Sequence, residues 1–212
     1  LFTIISSVSF GQTSGTGVTD IDGNNYATVI IGPQEWMAEN LRNTSYANGD
    51  PIPNVTDGTQ WQNLTTGAWA HYQNDNQYEN PYGKLYNWYT VNDSRNVCPT
   101  GWHVPSDAEW TVLSDYLGGE AVAGGKMKST GTQYWVSPNQ DATNESGFSG
   151  LPGGYRANDG PFYDIGYYGY WWSSTGITTD LAWNRYLYYS NGNVNRYSNN
   201  KPAGFSVRCL RD

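Results

Sequence analysis

The chain has 212 residues and a net charge of −8, with only 14% charged residues against 16% aromatic ones, 10 Trp and 18 Tyr among them. No cluster of Lys or Arg exists to displace counterions from phosphates, which argues against nucleic acid or an anionic membrane surface as a partner. No apolar run approaches the roughly 18 residues of a membrane-spanning helix.

The first twelve residues, "LFTIISSVSFGQ", are apolar and uncharged and give way to a Gly/Thr/Ser run. They read as the end of a secretory leader lacking its basic start, so residues 1–12 are expected to be a truncated signal peptide. Residues 13–212 then form one domain of ordinary size, exported to the medium or the cell surface.

"VTDIDGNNYATVIIG" alternates apolar and polar residues around Asp22-Gly23-Asn24 and predicts a hairpin. Its "DIDGN" resembles the opening of a calcium loop, but counting from Asp20 puts Ile31 where a bidentate Glu is required, so the motif does not support calcium. No cofactor or metal is expected. "EWMAENLR" (35–42) predicts a short amphipathic helix burying Trp36, Met37 and Leu41. Residues 43–82 lack periodicity and predict an ordered meander, and "GKLYNWYTV" (83–91) predicts a second short helix burying Leu85, Trp88 and Tyr89.

The clearest helix spans 105–119, with Ser106 as N-cap, Glu109 completing a capping box and Gly118 just past the end. Trp110, Leu113 and Leu117 make its apolar stripe. Beyond it the period drops to two: "WNRYLYY" and "VNRYS" flank Asn191-Gly192, a dipeptide suited to a type I′ turn. "GFSVRCLRD" reads as a third strand of that antiparallel sheet.

Chemistry is sparse. Cys98 and Cys209 are the two cysteines, and an even count in an exported chain reads as a disulfide, with a catalytic thiol as the alternative. The two histidines, His71 and His103, are flanked by aromatic residues and suit packing or capping better than general-base work. Carboxylates are scattered without singling out a glycosidase pair. The glycines of "LPGGYR" precede no helix and do not form a phosphate cradle. No catalytic residue is assigned.

Six segments in order, "VTDIDGNNYATVIIGPQEWMAENLR", "YGKLYNWYTV", "CPTGWHVPSDAEWTVLSDYLGG", "LPGGYR", "GYWWSST" and "GFSVRCLRD", closely resemble the Fibrobacter succinogenes major paralogous domain. Such domains occur in exported and cell-surface proteins of the Fibrobacteres–Bacteroidetes group, and their activity is undefined. That family is similar in turn to the C-type-lectin fold, in the branch of the formylglycine-generating enzymes. The resemblance implies an α+β domain with a C-type-lectin-like fold, two or three short helices around a twisted antiparallel sheet with long irregular loops. Its terminal strands would adjoin and bring Cys209 near Cys98. The late cysteine pair of formylglycine-generating enzymes is missing, and neither "ENP" (79–81) nor "AWNRY" (182–186) completes a calcium-dependent sugar motif.

The resemblance and composition together predict a non-enzymatic binding domain for adhesion or recognition, its ligand a polysaccharide or a cell-surface protein. The alternative is a diverged carbohydrate-active or formylglycine-generating-like enzyme. Tyrosine offers rigid amphipathic contact at low entropy cost, and Asn adaptable hydrogen bonds. On the two-residue period, Trp183 and Leu187 face the core while Tyr186 and Tyr188 face out. Tyr188, Asn193, Asn195 and Tyr197, joined by Tyr167 and Tyr168, are therefore the expected ligand-contacting patch.

Overall fold

The computed structural model describes residues 12–212, so the expected leader lies outside the described residues except for Gln12. The fold is α+β, with short helices and mostly antiparallel sheets. Among the described residues no helix is long and apolar enough to cross a membrane.

Strands β1 (Thr13–Ser14), β2 (Val18–Thr19), β3 (Asn25–Tyr26), β4 (Thr28–Ile31) and β5 (Gln34–Met37) open the chain. The expected hairpin forms between β2 and β3, with Val18 opposite Tyr26. Asp20 organises it: its carboxylate accepts from the Asp22 and Asn24 amides, the Asn24 side chain and the Tyr26 hydroxyl. The acidic "DIDGN" run is thus occupied by turn chemistry.

The helix expected over 35–42 does not form. Gln34–Met37 is instead a strand, paired with β4 from Thr28↔Met37 to Ile31↔Gln34 across the tight Gly32-Pro33 turn. Gly32 adopts φ +59, a conformation L side chains rarely take. Non-local pairing overrides local helix propensity here, because Trp36 and Met37 become wholly buried between partners on both sides.

The meander contains α1 (Gly58–Gln62), β6 (Trp69–Ala70) and α2 (Glu79–Tyr82). The second expected helix is half strand. Leu85–Tyr86 is β7, paired with β6, and the helix α3 starts only at Trp88 and ends at Val91. Asn87 sets that boundary by accepting the Thr90 amide as N-cap. Of the three side chains expected to be buried there, Leu85 and Trp88 are, and Tyr89 is half-buried.

Strand β8 (Trp102–His103) precedes α4 (Asp107–Tyr116), which carries the predicted Ser106–Glu109 capping box, with Trp110, Leu113 and Leu117 buried. Gly118 follows at φ +105. The next helix, α5 (Glu120–Met127), had no sequence signal because Gly124-Gly125 sits inside it. A Cβ on Gly124 would stand 2.1 Å from the Asn193 carbonyl, so these glycines let the helix ride directly on the backbone of a neighbouring loop.

The larger sheet runs β10 (Phe162–Ile165), β9 (Gly153–Arg156), β11 (Tyr168–Gly176), β12 (Leu181–Tyr188) and β13 (Val194–Asn200). Its β12–β13 hairpin is as expected, but the Asn191-Gly192 turn is not. The last cross-strand pair is Leu187↔Val194, and neither Asn191 nor Gly192 takes positive φ. The longer connection wraps the buried Lys128 ammonium, which donates to the carbonyls of Gln140 (2.7 Å), Tyr188 (3.0 Å) and Asn191 (2.8 Å).

The final segment does not join this sheet as a third strand either. β14 (Leu210–Arg211) pairs between β5 and β8, in the sheet of the N-terminal strands. Upstream, Ser206 bridges to Trp171 and Phe205 to Tyr86, so the segment crosses between the sheets. Cys209 is bonded to Cys98, both cysteines are buried, and no thiol is free. Arg208 anchors the crossing. Its wholly buried guanidinium donates to the Asn40 amide oxygen at 2.9 Å and to the carbonyls of Phe148 and Ser149.

Candidate functional site

Pleating gives the larger sheet two unlike faces. On one, Trp171, Leu187 and Val194 join Trp110, Leu113, Met127 and Phe148 from α4, α5 and the loop after them in a single core cluster. Trp183, on the same face, is only half-buried. The guanidinium of Arg196 covers it 3.3 Å from the ring centre, and Asp107 holds both Arg196 and the buried Arg185.

The opposite face packs Trp172 and Ala182 into a second core cluster with Phe205, and toward its other end it is built of tyrosines. Cross-strand pairing sets Tyr168 against Tyr188 and Tyr170 against Tyr186, and the next strand sets Asn195 against Tyr186 and Tyr197 against Asn184. The Tyr168 and Tyr188 rings stack with centroids 4.3 Å apart. Tyr170 lies 5.1 Å from Tyr155 of β9 and stacks at 5.0 Å on Phe205, which floors the face. Tyr155, Tyr168, Tyr170, Tyr186, Tyr197, Asn199 and Phe205 line a shallow cleft of about 220 Å³. A second cleft of about 360 Å³ turns over the β13 edge, lined by Glu120, Asn193, Asn195 and Arg196 and sharing the Tyr186 wall.

Four of the six sequence-predicted residues therefore meet on this face: Tyr168, Tyr188, Asn195 and Tyr197. Tyr197 is the most exposed, at 58%. Asn193 precedes β13 and lies in the second cleft. Tyr167 is exposed beside the face, packing edge-on against Tyr189 at 5.4 Å, which in turn packs against Tyr188 at 4.7 Å. Tyr155, Tyr170 and Phe205 were not anticipated. Tyr155 and Phe205 come from distant segments, and Tyr170 stands in the aromatic run 170–172, where Trp171 points the opposite way.

Burial holds the Tyr155, Tyr168 and Tyr170 phenols protonated beyond the ordinary tyrosine range. Burial, then a hydrogen bond with Tyr188, pushes Tyr168 up to about 12. Burial likewise raises Tyr155 and Tyr170. Tyr188 moves down instead, chiefly through side-chain hydrogen bonding with Ser190 and then Tyr189. The charges acting on Tyr155, Tyr168 and Tyr170 include Asp164 and, for Tyr155, Asp159, all carboxylates that oppose ionisation.

The donor and acceptor set of the face is polar but uncharged. Asn199 donates to the Asn184 amide oxygen at 3.4 Å, while the Nδ2 groups of Asn184 and Asn195 are buried without a hydrogen-bond partner. Such unpaired donors are uncommon in folded chains and call for an acceptor. Neither histidine lines the cleft. His71 pairs with Glu79 at 2.6 Å, and His103 stands between Asp212 (2.6 Å) and Glu109 (3.0 Å). Among the described residues, no three His, Cys, Asp or Glu side chains gather where they could share a metal ion.

A family model described as the Fibrobacter succinogenes major domain matches residues 29–211, which contain both clefts and the disulfide. No curated protein and no solved structure matches the chain.

Proposed function

The chain belongs to the Fibrobacter succinogenes major domain family, and from that premise we propose that it is an exported, non-enzymatic binding domain. It would work in adhesion or recognition at the cell surface, contacting its ligand through the tyrosine face of the larger sheet. One observation carries this reading: one face of that sheet is packed into the core along its length, while the other enters a second core cluster only at its Trp172–Ala182 end and beyond it presents cross-strand rows of half-buried tyrosines with the amides of Asn195 and Asn199 beside them. Rigid rings with a polar tip make large contact area at small entropic cost.

The C-type-lectin-like fold is part of the same reading. It is supported by the last strand joining the sheet of the N-terminal strands beside β5, with Leu210 opposite Trp36, and by the Cys98–Cys209 bridge that fastens it. That bridge also ties up both thiols, which speaks against a thiol-dependent oxidase.

A glycan array run beside a pull-down of surface proteins tests the reading. A ligand bound by the native chain and lost on replacing Tyr188 and Tyr197 by Ala supports it. Silence from the folded chain in both formats overturns it.

A further inference from the structure

Building on the binding-face reading, we propose that the ligand is a neutral polysaccharide, laid along the tyrosine cleft and turning over Tyr186 into the cleft at the β13 edge. The first cleft is lined by phenols, one amide and one phenyl ring, with no charged side chain among its described residues. A polyanion finds no cation there, and the carboxylates that act on these phenols repel it; in the second cleft Arg196 is already paired with Asp107 and lies within reach of the Glu120 charge. Flat rings instead accept the apolar faces of uncharged sugar rings.

The amides supply the polar half of the recognition. Asn184 is wholly buried on this face, between Trp172 and Tyr197 on the neighbouring strands, and its Nδ2 has no partner. The Asn195 Nδ2, in the second cleft, has none either. Asn184 lines neither cleft, so the ligand-facing amides are Asn199 in the first cleft and Asn195 in the second, and beside hydroxyl-bearing rings they match a ligand rich in hydroxyl and ring oxygens.

Cleft size points to a chain of units. About 220 Å³ lies below the roughly 300 Å³ at which pockets begin to enclose drug-sized ligands. The tyrosine cleft therefore covers one side of a ring-sized unit, the cleft of about 360 Å³ at the β13 edge offers room for the next, and useful affinity requires both, joined across Tyr186.

The test is calorimetric titration with neutral glucan, xylan and mannan fragments of increasing length, beside polygalacturonate as a charged control. The expected result is affinity for at least one neutral series, rising with length until the chain spans both clefts and then levelling, with no binding of polygalacturonate. Tyr186→Ala should weaken binding roughly tenfold and flatten the length dependence, while Tyr186→Phe keeps most of it. Tyr197→Ala, at an exposed position, should weaken binding without any folding defect. Polygalacturonate binding as well as the neutral chains, or affinity independent of length, overturns the proposal. If no neutral fragment binds but a surface protein does, and loses its grip on Tyr188→Ala/Tyr197→Ala, the ligand class fails while the binding-face reading stands. If nothing binds the folded chain, both fail.

Discussion

The Arg196 guanidinium lies 3.3 Å from the centre of the Trp183 ring and donates at the same time to both oxygens of Asp107. This clamp closes the helix-side face of the β12–β13 hairpin, and the opposite face remains as the one that presents tyrosines. Asp107 also accepts from the buried Arg185 at 2.7 Å. Asp107→Asn should therefore cost about 3 kcal/mol, since it leaves a buried guanidinium without its counter-charge. Denaturant unfolding measures the loss, and an unchanged midpoint would contradict the clamp. Burial works to raise the Asp107 carboxyl, but its bonds to Arg196 and Arg185 outweigh that and hold it below 3.8. A depressed carboxylate contributes stability above its unfolded value, lost as pH falls through the folded one. The native chain should thus shed this contribution below about pH 4, and Asp107→Asn should not.

Gly124→Ala should destabilise the chain by about 1–3 kcal/mol, although alanine is the better helix former. The added Cβ would meet the Asn193 carbonyl at 2.1 Å and the Gly192 carbonyl at 2.9 Å, both of them backbone atoms that cannot swing aside. Thermal unfolding of the variant decides the matter; a raised Tm would show that α5 does not need that close approach.

Much of the architecture was readable where the signal was local. The Ser106–Glu109 capping box, the Trp110 stripe and the β2–β3 hairpin formed as their residues dictate. Errors arose where a distant partner decided. Gln34–Met37 became a strand because β4 and β14 flank it, and Asn191-Gly192 missed its tight turn because Lys128 reaches in from after α5. For the site, alternation along β12 and β13 correctly put Tyr188, Asn195 and Tyr197 on one face. Tyr155 and Phe205 were invisible, since only tertiary folding brings β9 and the crossing segment to the same cleft.

Cys98 and Cys209 are separated by 111 positions, so their bridge removes a large loop from the unfolded ensemble. Chain-entropy arithmetic gives about 4–5 kcal/mol for a loop of that size. Unfolding with reductant should begin at clearly lower denaturant than without it. Because both sulfurs are buried, reduction should follow opening of the fold and not precede it. Equal midpoints in the two conditions would show that the bridge adds nothing.

Lys128 and the buried tyrosines give stability a maximum on the alkaline side. Burial lowers Lys128 from 10.5 to about 8, so between those values the unfolded chain holds a proton the folded chain has released. Stability therefore rises with pH across that window. Burial raises Tyr26, Tyr86 and Tyr170 above 10, so their contribution is complete below pH 10 and is lost as pH climbs toward their folded values. Unfolding free energy should peak near pH 10, and Lys128→Met should remove the rise before it. A steady fall from pH 8 in the native chain would contradict the Lys128 assignment.

The most direct measurement of binding through the tyrosine face compares the native chain with Tyr188→Ala/Tyr197→Ala, recording both ligand affinity and Tm. Tyr197 is largely exposed and Tyr188 is half-buried against Tyr168, so neither ring belongs to the buried core. The account predicts a loss of affinity of at least about 30-fold, as for central aromatic anchors, with Tm nearly unchanged. Unchanged affinity, or a collapse of Tm, would contradict it: the first would place the ligand elsewhere, and the second would make these rings part of the core.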